Sequence, residues 1–190
     1  MQYILSFLLF VLFALLVAGR AAMLHKRGIQ AIVFGGKDKS DLALVPIVLA
    51  LVYFICANAF GFPLWNPLKS PFWATQAPGW IGIALCVIAI AGLGASLASF
   101  GDSFRVGIDT DKPDKLVTSG LFAISRNPIY VCFDIFFIGQ VLVHRSLAVL
   151  IFCVLIACWI HRQILKEEAF LDTRYGKEYS DYKAKVRRYL

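Results

Sequence analysis

Residues 128–160 read PIYVCFDIFFIGQVLVHRSLAVLIFCVLIACWI, two apolar runs separated only by His144, Arg145 and Ser146. The first run covers residues 128–143 and the second covers residues 147–160. Both are somewhat shorter than the roughly 20 residues with which an α-helix crosses a hydrocarbon core, and so short a hinge joins antiparallel neighbours. The stretch therefore predicts a tight helical hairpin in a membrane, which returns the chain to the face where the hairpin began.

Three more apolar runs precede the hairpin, at residues 3–18, 42–60 and 79–100. The chain of 190 residues is 59% apolar and only 16% charged, whereas a soluble domain is roughly half apolar and about a quarter charged. So much apolar surface needs lipid to cover it. We therefore predict an all-α, polytopic membrane protein with about five transmembrane helices. We divide it into an N-terminal two-helix segment, residues 1–78, and a membrane core, residues 79–190.

The basic residues predict the orientation of these helices. If the N-terminus is extracytoplasmic, 17 of the 19 Lys and Arg residues fall in cytoplasmic segments, and only Lys69 and Arg145 fall outside. Positive charge is concentrated in cytoplasmic loops of membrane proteins. The sequence thus predicts an extracytoplasmic N-terminus and a cytoplasmic C-terminus. The net charge of +7 is then explained by basic residues that set the topology and face anionic lipid. This explanation argues against nucleic acid as a partner.

The cysteines and histidines do not predict a metal site. The five cysteines all lie within apolar runs and none forms a CxxC pair, and the three histidines have no zinc-ligand spacing. The small residues inside the apolar runs instead predict helix packing. Small residues let membrane helices approach closely. In the run at residues 79–100 they are Gly82, Gly92, Gly94, Ala95, Ser96 and Ala98.

The polar and charged residues that suggest a functional site are concentrated in two segments that flank the hairpin, residues 114–130 and 161–182. In the first, we expect Asn127 to cap the following helix and Pro128 to occupy its first turn, while Arg126 lies where it can bind lipid phosphate. In the second, Glu167 and Glu168 are predicted to lie about two turns beyond the last membrane helix. They belong there to an amphipathic helix that lies against the membrane domain. The sequence leaves open which carboxylate faces inward.

These two segments together carry a resemblance. They contain Leu-Val-Thr-Ser-Gly at residues 116–120, Arg-Asn-Pro-Ile-Tyr at residues 126–130, and the Glu-Glu pair with the tyrosines that follow it. In these motifs, over roughly residues 79–190, the chain resembles the isoprenylcysteine carboxyl methyltransferase and phospholipid methyltransferase-like family of integral membrane enzymes, which has Arg-His-Pro-x-Tyr at the second motif.

The resemblance implies a methyltransferase that binds S-adenosylmethionine at the cytoplasmic face and methylates a lipid or isoprenoid-like acceptor from the bilayer. An aromatic face attracts a sulfonium cation, and a carboxylate accepts hydrogen bonds from ribose hydroxyls or balances an ammonium group. The cofactor-binding positions that it implies are Lys115, Leu116, Val117, Phe122, Asn127, Pro128, Ile129, Tyr130, Glu167 and Glu168.

The acceptor side of the site is predicted from three residues. The prenylcysteine methylases of the family have an Arg four residues before the first Glu, whereas this chain has Gln163, with Arg162 beside it. This departure argues against a prenylcysteine carboxylate as the acceptor. Asp134 lies about 9 Å into the hairpin along a helix axis, and acids at such depth are functional candidates. Carboxylate, amine, thiol and hydroxyl acceptors stay open, as do the oligomeric state and the alternative of a small transporter or non-enzymatic membrane protein that kept the fold.

Overall fold

The structure is a computed structural model that describes residues 1–26, 42, 44–64, 71–100 and 116–190. These residues form six α-helices and one short 3-10 helix, Gly120–Ala123. Lys115, one of the implied cofactor-binding positions, lies outside the described residues. The α-helices are α1 (Gln2–Lys26), α2 (Leu44–Phe60), α3 (Ala77–Phe100), α4 (Pro128–His144), α5 (Leu147–Tyr175) and α6 (Lys177–Lys185).

Five of these helices are apolar. Helices α1, α3 and α5 contain segments that are long and apolar enough to cross a membrane, and α2 and α4 are shorter apolar helices of 17 residues each. A helix of that length extends about 25 Å, near the lower limit for a membrane span. The all-α, polytopic membrane fold predicted from the sequence is confirmed, while the division into segments at residue 78 stays a prediction.

Helices α3 and α4 have the most extensive contact between any two helices described. Their backbones touch at Gly82 and Gly139: a Cβ atom added to Gly82 would lie 2.5 Å from the Gly139 carbonyl oxygen. A Cβ at Gly92 would lie 2.9 Å from the Cys132 sulfur, whereas one at Gly94 would meet nothing within 4 Å. The predicted packing role is confirmed for Gly82 and Gly92, because they face α4, and does not extend to Gly94.

The predicted hairpin of α4 and α5 is confirmed, with a shorter hinge. Helix α4 continues through His144, so only Arg145 and Ser146 connect the two helices. Arg145 has a left-handed backbone (φ 54°), and the Ser146 hydroxyl accepts a hydrogen bond from the Ala148 backbone N–H at 3.2 Å. One guanidinium nitrogen of Arg145 also donates to the carbonyls of residues 73, 74 and 75 at 3.2, 3.2 and 3.0 Å. These hydrogen bonds hold the hinge end of the hairpin against residues 73–75.

The predicted position of the two glutamates, beyond the last membrane helix, was wrong. The 29 residues of α5 run from Leu147 to Tyr175 without a break, so Glu167 and Glu168 do not lie beyond the last membrane helix but on its continuation. No Pro or Gly interrupts the stretch, and a helix of this length extends about 43 Å, longer than the hydrocarbon core of about 30 Å. Helix α5 ends at Gly176, whose φ of 50° is left-handed. The separate amphipathic helix is α6, which buries Tyr179 and Tyr182.

Candidate active site

The hairpin brings the two polar segments into direct contact. The Tyr130 hydroxyl, at the start of α4, donates a hydrogen bond of 2.7 Å to Oε1 of Glu167 on α5. The same oxygen accepts a hydrogen bond of 2.9 Å from Nε2 of Gln163. Gln163 and Glu167 are four residues apart and so share one face of the helix. Three of the predicted site residues thus meet at one carboxylate oxygen.

Glu168 faces a different set of partners and is almost fully buried, with 7% of its surface exposed. Its Oε2 accepts hydrogen bonds from Nε and Nη2 of Arg188 at 3.0 and 2.8 Å. Its Oε1 lies 3.2 Å from Nη2 of Arg126 and 3.4 Å from Nδ2 of Asn127. These contacts link the start of α4, the C-terminal part of α5 and residue 188 through one buried carboxylate. The cofactor contact implied for Glu168 stays a prediction.

Two expectations for the first segment were wrong. Asn127 does occupy the N-cap position of α4, but its side chain makes no capping hydrogen bond. Its amide Nδ2 instead donates to Glu168 and, at 3.1 Å, to the carbonyl of Arg188. The side chain of Arg126 is only 10% exposed and pairs with Glu168, so it is not a lipid-facing phosphate ligand. In both cases a buried carboxylate attracts the polar side chain away from its local or lipid partner.

Residues 186–190, which we call the strap, return across the start of α4. The Arg126 backbone N–H donates to the Arg187 carbonyl at 2.9 Å, and Ser125 and Arg187 form a parallel bridge. Arg188 and Tyr189 were not predicted as site residues, because the basic residues near position 188 match the charge pattern expected from topology alone. The available signal was Tyr189 itself, an aromatic residue directly after two arginines.

The segment at residues 116–123 contacts α3 and α6. Gly120 has a φ of 64°, and a Cβ added there would lie 2.5 Å from the Ser99 hydroxyl, which explains why a glycine occupies this position. Phe122 is buried, and its carbonyl accepts a hydrogen bond of 2.6 Å from the Tyr182 hydroxyl. Burial raises the pKa of Tyr182 to about 12, so this phenol remains a hydrogen-bond donor at neutral pH. Leu116 and Val117 are half-buried.

Asp134 lies one helical turn beyond Tyr130, away from the start of α4. Its Oδ1 is buried and makes no hydrogen bond with any residue that the structure describes. His161 and Tyr189 are its electrostatic neighbours, and Nδ1 of His161 lies 2.6 Å from the Tyr189 hydroxyl. Asp134 is therefore close to the Tyr130–Glu167 contact but one helical turn nearer the hinge between α4 and α5. Arg162, the third predicted acceptor-side residue, is exposed.

The family model named phospholipid methyltransferase matches residues 77–178. This match covers more than half of the chain and contains Tyr130, Gln163 and Glu167. The chain belongs to the phospholipid methyltransferase family. The family match ends before the strap, so it does not include Arg188 or Tyr189.

Relatives of this phospholipid methyltransferase family member include isoprenylcysteine methyltransferases. A protein-S-isoprenylcysteine O-methyltransferase from Schizosaccharomyces pombe is 33% identical over 95 residues, which are 48% of this chain and 40% of the relative. A probable protein-S-isoprenylcysteine O-methyltransferase from Oryza sativa subsp. indica is 28% identical over 142 residues, 73% of this chain and 72% of the relative. The chain thus spans less than half the length of the first relative and most of the second.

The fold of this family member is also similar to a solved structure. That structure is the eukaryotic intramembrane Ras methyltransferase ICMT (isoprenylcysteine carboxyl methyltransferase), with a TM-score of 0.59 and 21% sequence identity. The likeness covers 88% of this chain and 58% of that chain. At this identity the comparison establishes the shared fold.

Proposed function

We propose that this protein is an integral membrane methyltransferase that uses S-adenosylmethionine to methylate a lipid or isoprenoid-like acceptor carried in the bilayer. The observation that carries the proposal is the convergence of Tyr130 and Gln163 on Glu167, inside the region that matches the phospholipid methyltransferase family. The hairpin places this contact between a membrane helix that begins at residue 128 and one that continues past the hydrocarbon core. A site there lies at the boundary between the aqueous phase, which carries a water-soluble cofactor, and the bilayer, which carries the acceptor.

The chemistry of the available side chains fits S-adenosylmethionine. Glu167 supplies a carboxylate for ribose hydroxyls or for the ammonium of the cofactor's amino-acid moiety, and Tyr130 supplies an aromatic face for the sulfonium. Nε of Arg126 is buried and makes no hydrogen bond within the described part of the chain, which suits the carboxylate of the same moiety. Asn127, Pro128 and Ile129 line the start of α4 beside these groups.

When bound, the cofactor supplies an electrophilic methyl group. The residues of this chain bind and orient the two reactants, which is the main contribution that a protein makes to such a displacement. Hydrogen bonds from Tyr130 and Gln163 fix the direction of the Glu167 carboxylate. Glu168 holds Arg126, Asn127 and the strap in place around it. Burial of these contacts excludes water and so strengthens each polar interaction.

Methylation of lipids is the direct test of this function. Purified protein in lipid nanodiscs, given S-adenosylmethionine with a labelled methyl group and total lipid extract, is expected to transfer the label to a product that mass spectrometry identifies. The alternative, a transporter or a non-enzymatic protein that kept the fold, predicts neither cofactor binding by calorimetry nor labelled product. Absence of both results would overturn the proposal.

We also propose an extracytoplasmic N-terminus and a cytoplasmic C-terminus, on the strength of the 17 of 19 basic residues on one side. A reporter fused after residue 190 is expected to be active when it works in the cytoplasm and inactive when it requires the extracytoplasmic space. The same pair of reporters inserted between α1 and α2 should behave identically, since both positions lie on the same side of the membrane. Activity of the extracytoplasmic reporter at residue 190 would reverse the orientation.

We further propose that a prenylcysteine carboxylate is a poor acceptor for this enzyme. Gln163 is a neutral amide whose Nε2 already donates to Glu167, and an unpaired carboxylate is costly to bury. Gln163→Arg is expected to improve methylation of a farnesylcysteine analogue by about tenfold or more, because a charge-assisted hydrogen bond contributes about 1.5–3 kcal/mol. Gln163→Leu is the matched neutral control. Efficient methylation by the wild type would contradict this and would transfer the carboxylate-binding role to Arg162.

A further inference from the structure

Asp134, His161 and Tyr189 form a second polar cluster, separate from the Tyr130–Glu167 contact. They come from α4, α5 and the strap, respectively. Asp134 lies four residues past Tyr130, or about 6 Å deeper along α4, and His161 lies six residues before Glu167, or about 9 Å deeper along α5. Because α4 and α5 are antiparallel, both displacements point in the same direction, towards the hairpin hinge. The cluster is therefore on the membrane side of the candidate cofactor site.

The polar atoms of this cluster are only partly satisfied by the protein. Nδ1 of His161 and the Tyr189 hydroxyl form a 2.6 Å hydrogen bond, and the two rings stack with centroids 6.3 Å apart. Asp134 Oδ1, by contrast, is buried and makes no hydrogen bond with the residues that the structure describes. A buried acceptor without a donor costs about 1–3 kcal/mol, and nearly all buried polar atoms in native proteins have a partner. A ligand that satisfies this oxygen is therefore a hydrogen-bond donor.

The surroundings of the cluster are open and apolar. His161 is exposed, and so are Cys158 and Leu165, which lie within four residues of it on α5. On α4, the residue one turn deeper than Asp134 is the exposed Ile138. A ligand that reaches Asp134 along this face passes between apolar side chains in the bilayer. Its polar group is consequently attached to an apolar chain.

The unsatisfied oxygen of Asp134 restricts the polar group of that ligand. An ionised carboxylate has no hydrogen to donate to Oδ1, so it leaves this buried acceptor unsatisfied. A hydroxyl or an amine instead donates directly to Oδ1, and the His161–Tyr189 pair is the electrostatic neighbour of that carboxylate. The cluster thus selects for a hydrogen-bond donor and against an acid.

We infer that Asp134, His161 and Tyr189 bind the polar head of the methyl acceptor, and that this head is a hydrogen-bond donor on an apolar chain. The inference deepens the proposed function and rests on it for the statement that the ligand is the acceptor. The binding site itself does not depend on the cofactor, so it can be tested without it.

The test compares three compounds that share one chain: farnesol, farnesylamine and farnesoic acid. The protein is labelled with ¹⁵N-histidine in nanodiscs, where its three histidines give separate imidazole signals, and His161→Gln identifies the signal of His161. Farnesol or farnesylamine is expected to shift the His161 signal in a saturable way, while the signal of the buried His144 stays in place. Farnesoic acid is expected to bind at least tenfold more weakly.

Variants make the result specific to the cluster. Asp134→Asn is expected to weaken binding of the donor compound roughly tenfold, since it replaces a charge-assisted hydrogen bond by a neutral one, and Asp172→Asn on the same hairpin is expected to change nothing. An unshifted His161 signal with all three compounds would overturn the inference, as would equal binding of farnesoic acid. If farnesol or farnesylamine binds while the protein shows neither cofactor binding nor methylated product, the binding site stands and the proposed function fails.

Discussion

Glu168→Ala lowers the free energy of unfolding by about 3–5 kcal/mol, the cost of removing one partner from a buried ion pair. Glu168 is 7% exposed and the side chain of Arg126 is 10% exposed, so water does not replace the lost carboxylate. The substitution also releases Arg188 and Asn127, which hold the strap against the start of α4. Loss of these contacts is therefore expected to loosen the strap as well as to destabilise the helices.

The matched control for Glu168 is Asp172, one turn further along α5. Asp172 pairs with Lys183 at 2.5 Å, but the two side chains are 42% and 31% exposed. A solvated ion pair contributes about 0–1 kcal/mol, so Asp172→Ala should change stability little. Denaturant titration of both variants in detergent micelles, followed by helical circular dichroism, measures the difference. Equal destabilisation by the two substitutions would show that Glu168 is not the link between the three segments.

Glu167→Ala is expected to weaken binding of S-adenosylmethionine by tenfold to a hundredfold, with the helices intact. Glu167 is half-buried and is oriented by two hydrogen bonds, which makes its carboxylate a preformed acceptor. Loss of one charge-assisted hydrogen bond costs about 1.5–3 kcal/mol, and each 1.4 kcal/mol is a factor of ten in affinity. Isothermal titration calorimetry of the protein in nanodiscs gives the affinity, and circular dichroism checks the fold.

Glu178→Ala is the control for this second measurement. Glu178 is an exposed carboxylate on α6, so its removal changes the net charge by the same amount without touching the Tyr130–Glu167 contact. It is expected to leave the affinity for the cofactor unchanged. An unchanged affinity in Glu167→Ala would remove Glu167 from the cofactor site and leave Tyr130 and Arg126 as the residues to test next.

Much of the membrane fold follows from local sequence pattern. Apolar runs specify the membrane helices because lipid cannot satisfy backbone polar groups and a helix satisfies them internally. The short hinge near Arg145 requires antiparallel neighbours, so the proximity of residues 126–130 to the pair Glu167 and Glu168 was predictable from the hairpin, although the pairing of particular residues was not. The glycine at position 82 was predictable as a packing residue because small side chains allow close helix contact.

The roles of the two adjacent glutamates were decided by the tertiary structure. Glu167 and Glu168 are neighbours in sequence but point about 100° apart on a helix, and sequence alone gives no reason to choose which one faces Tyr130. Arg126 and Arg188 make the choice, because together with Asn127 they surround one carboxylate in a buried place. The carboxylate of Glu167 is left to face Tyr130 and Gln163.

The sequence by itself determined that this chain is a helical membrane protein with its polar chemistry at the base of one hairpin, because hydrophobicity and hinge length act locally along the chain. Only the tertiary structure brought the strap to that place, and with it Tyr189 to His161 and Asp134. Residues 186–190 have no periodic pattern, and their position depends on hydrogen bonds to Ser125, Arg126 and Asn127, more than 60 residues away along the chain. Contacts at such a separation depend on how the intervening helices pack, and no local pattern encodes that packing.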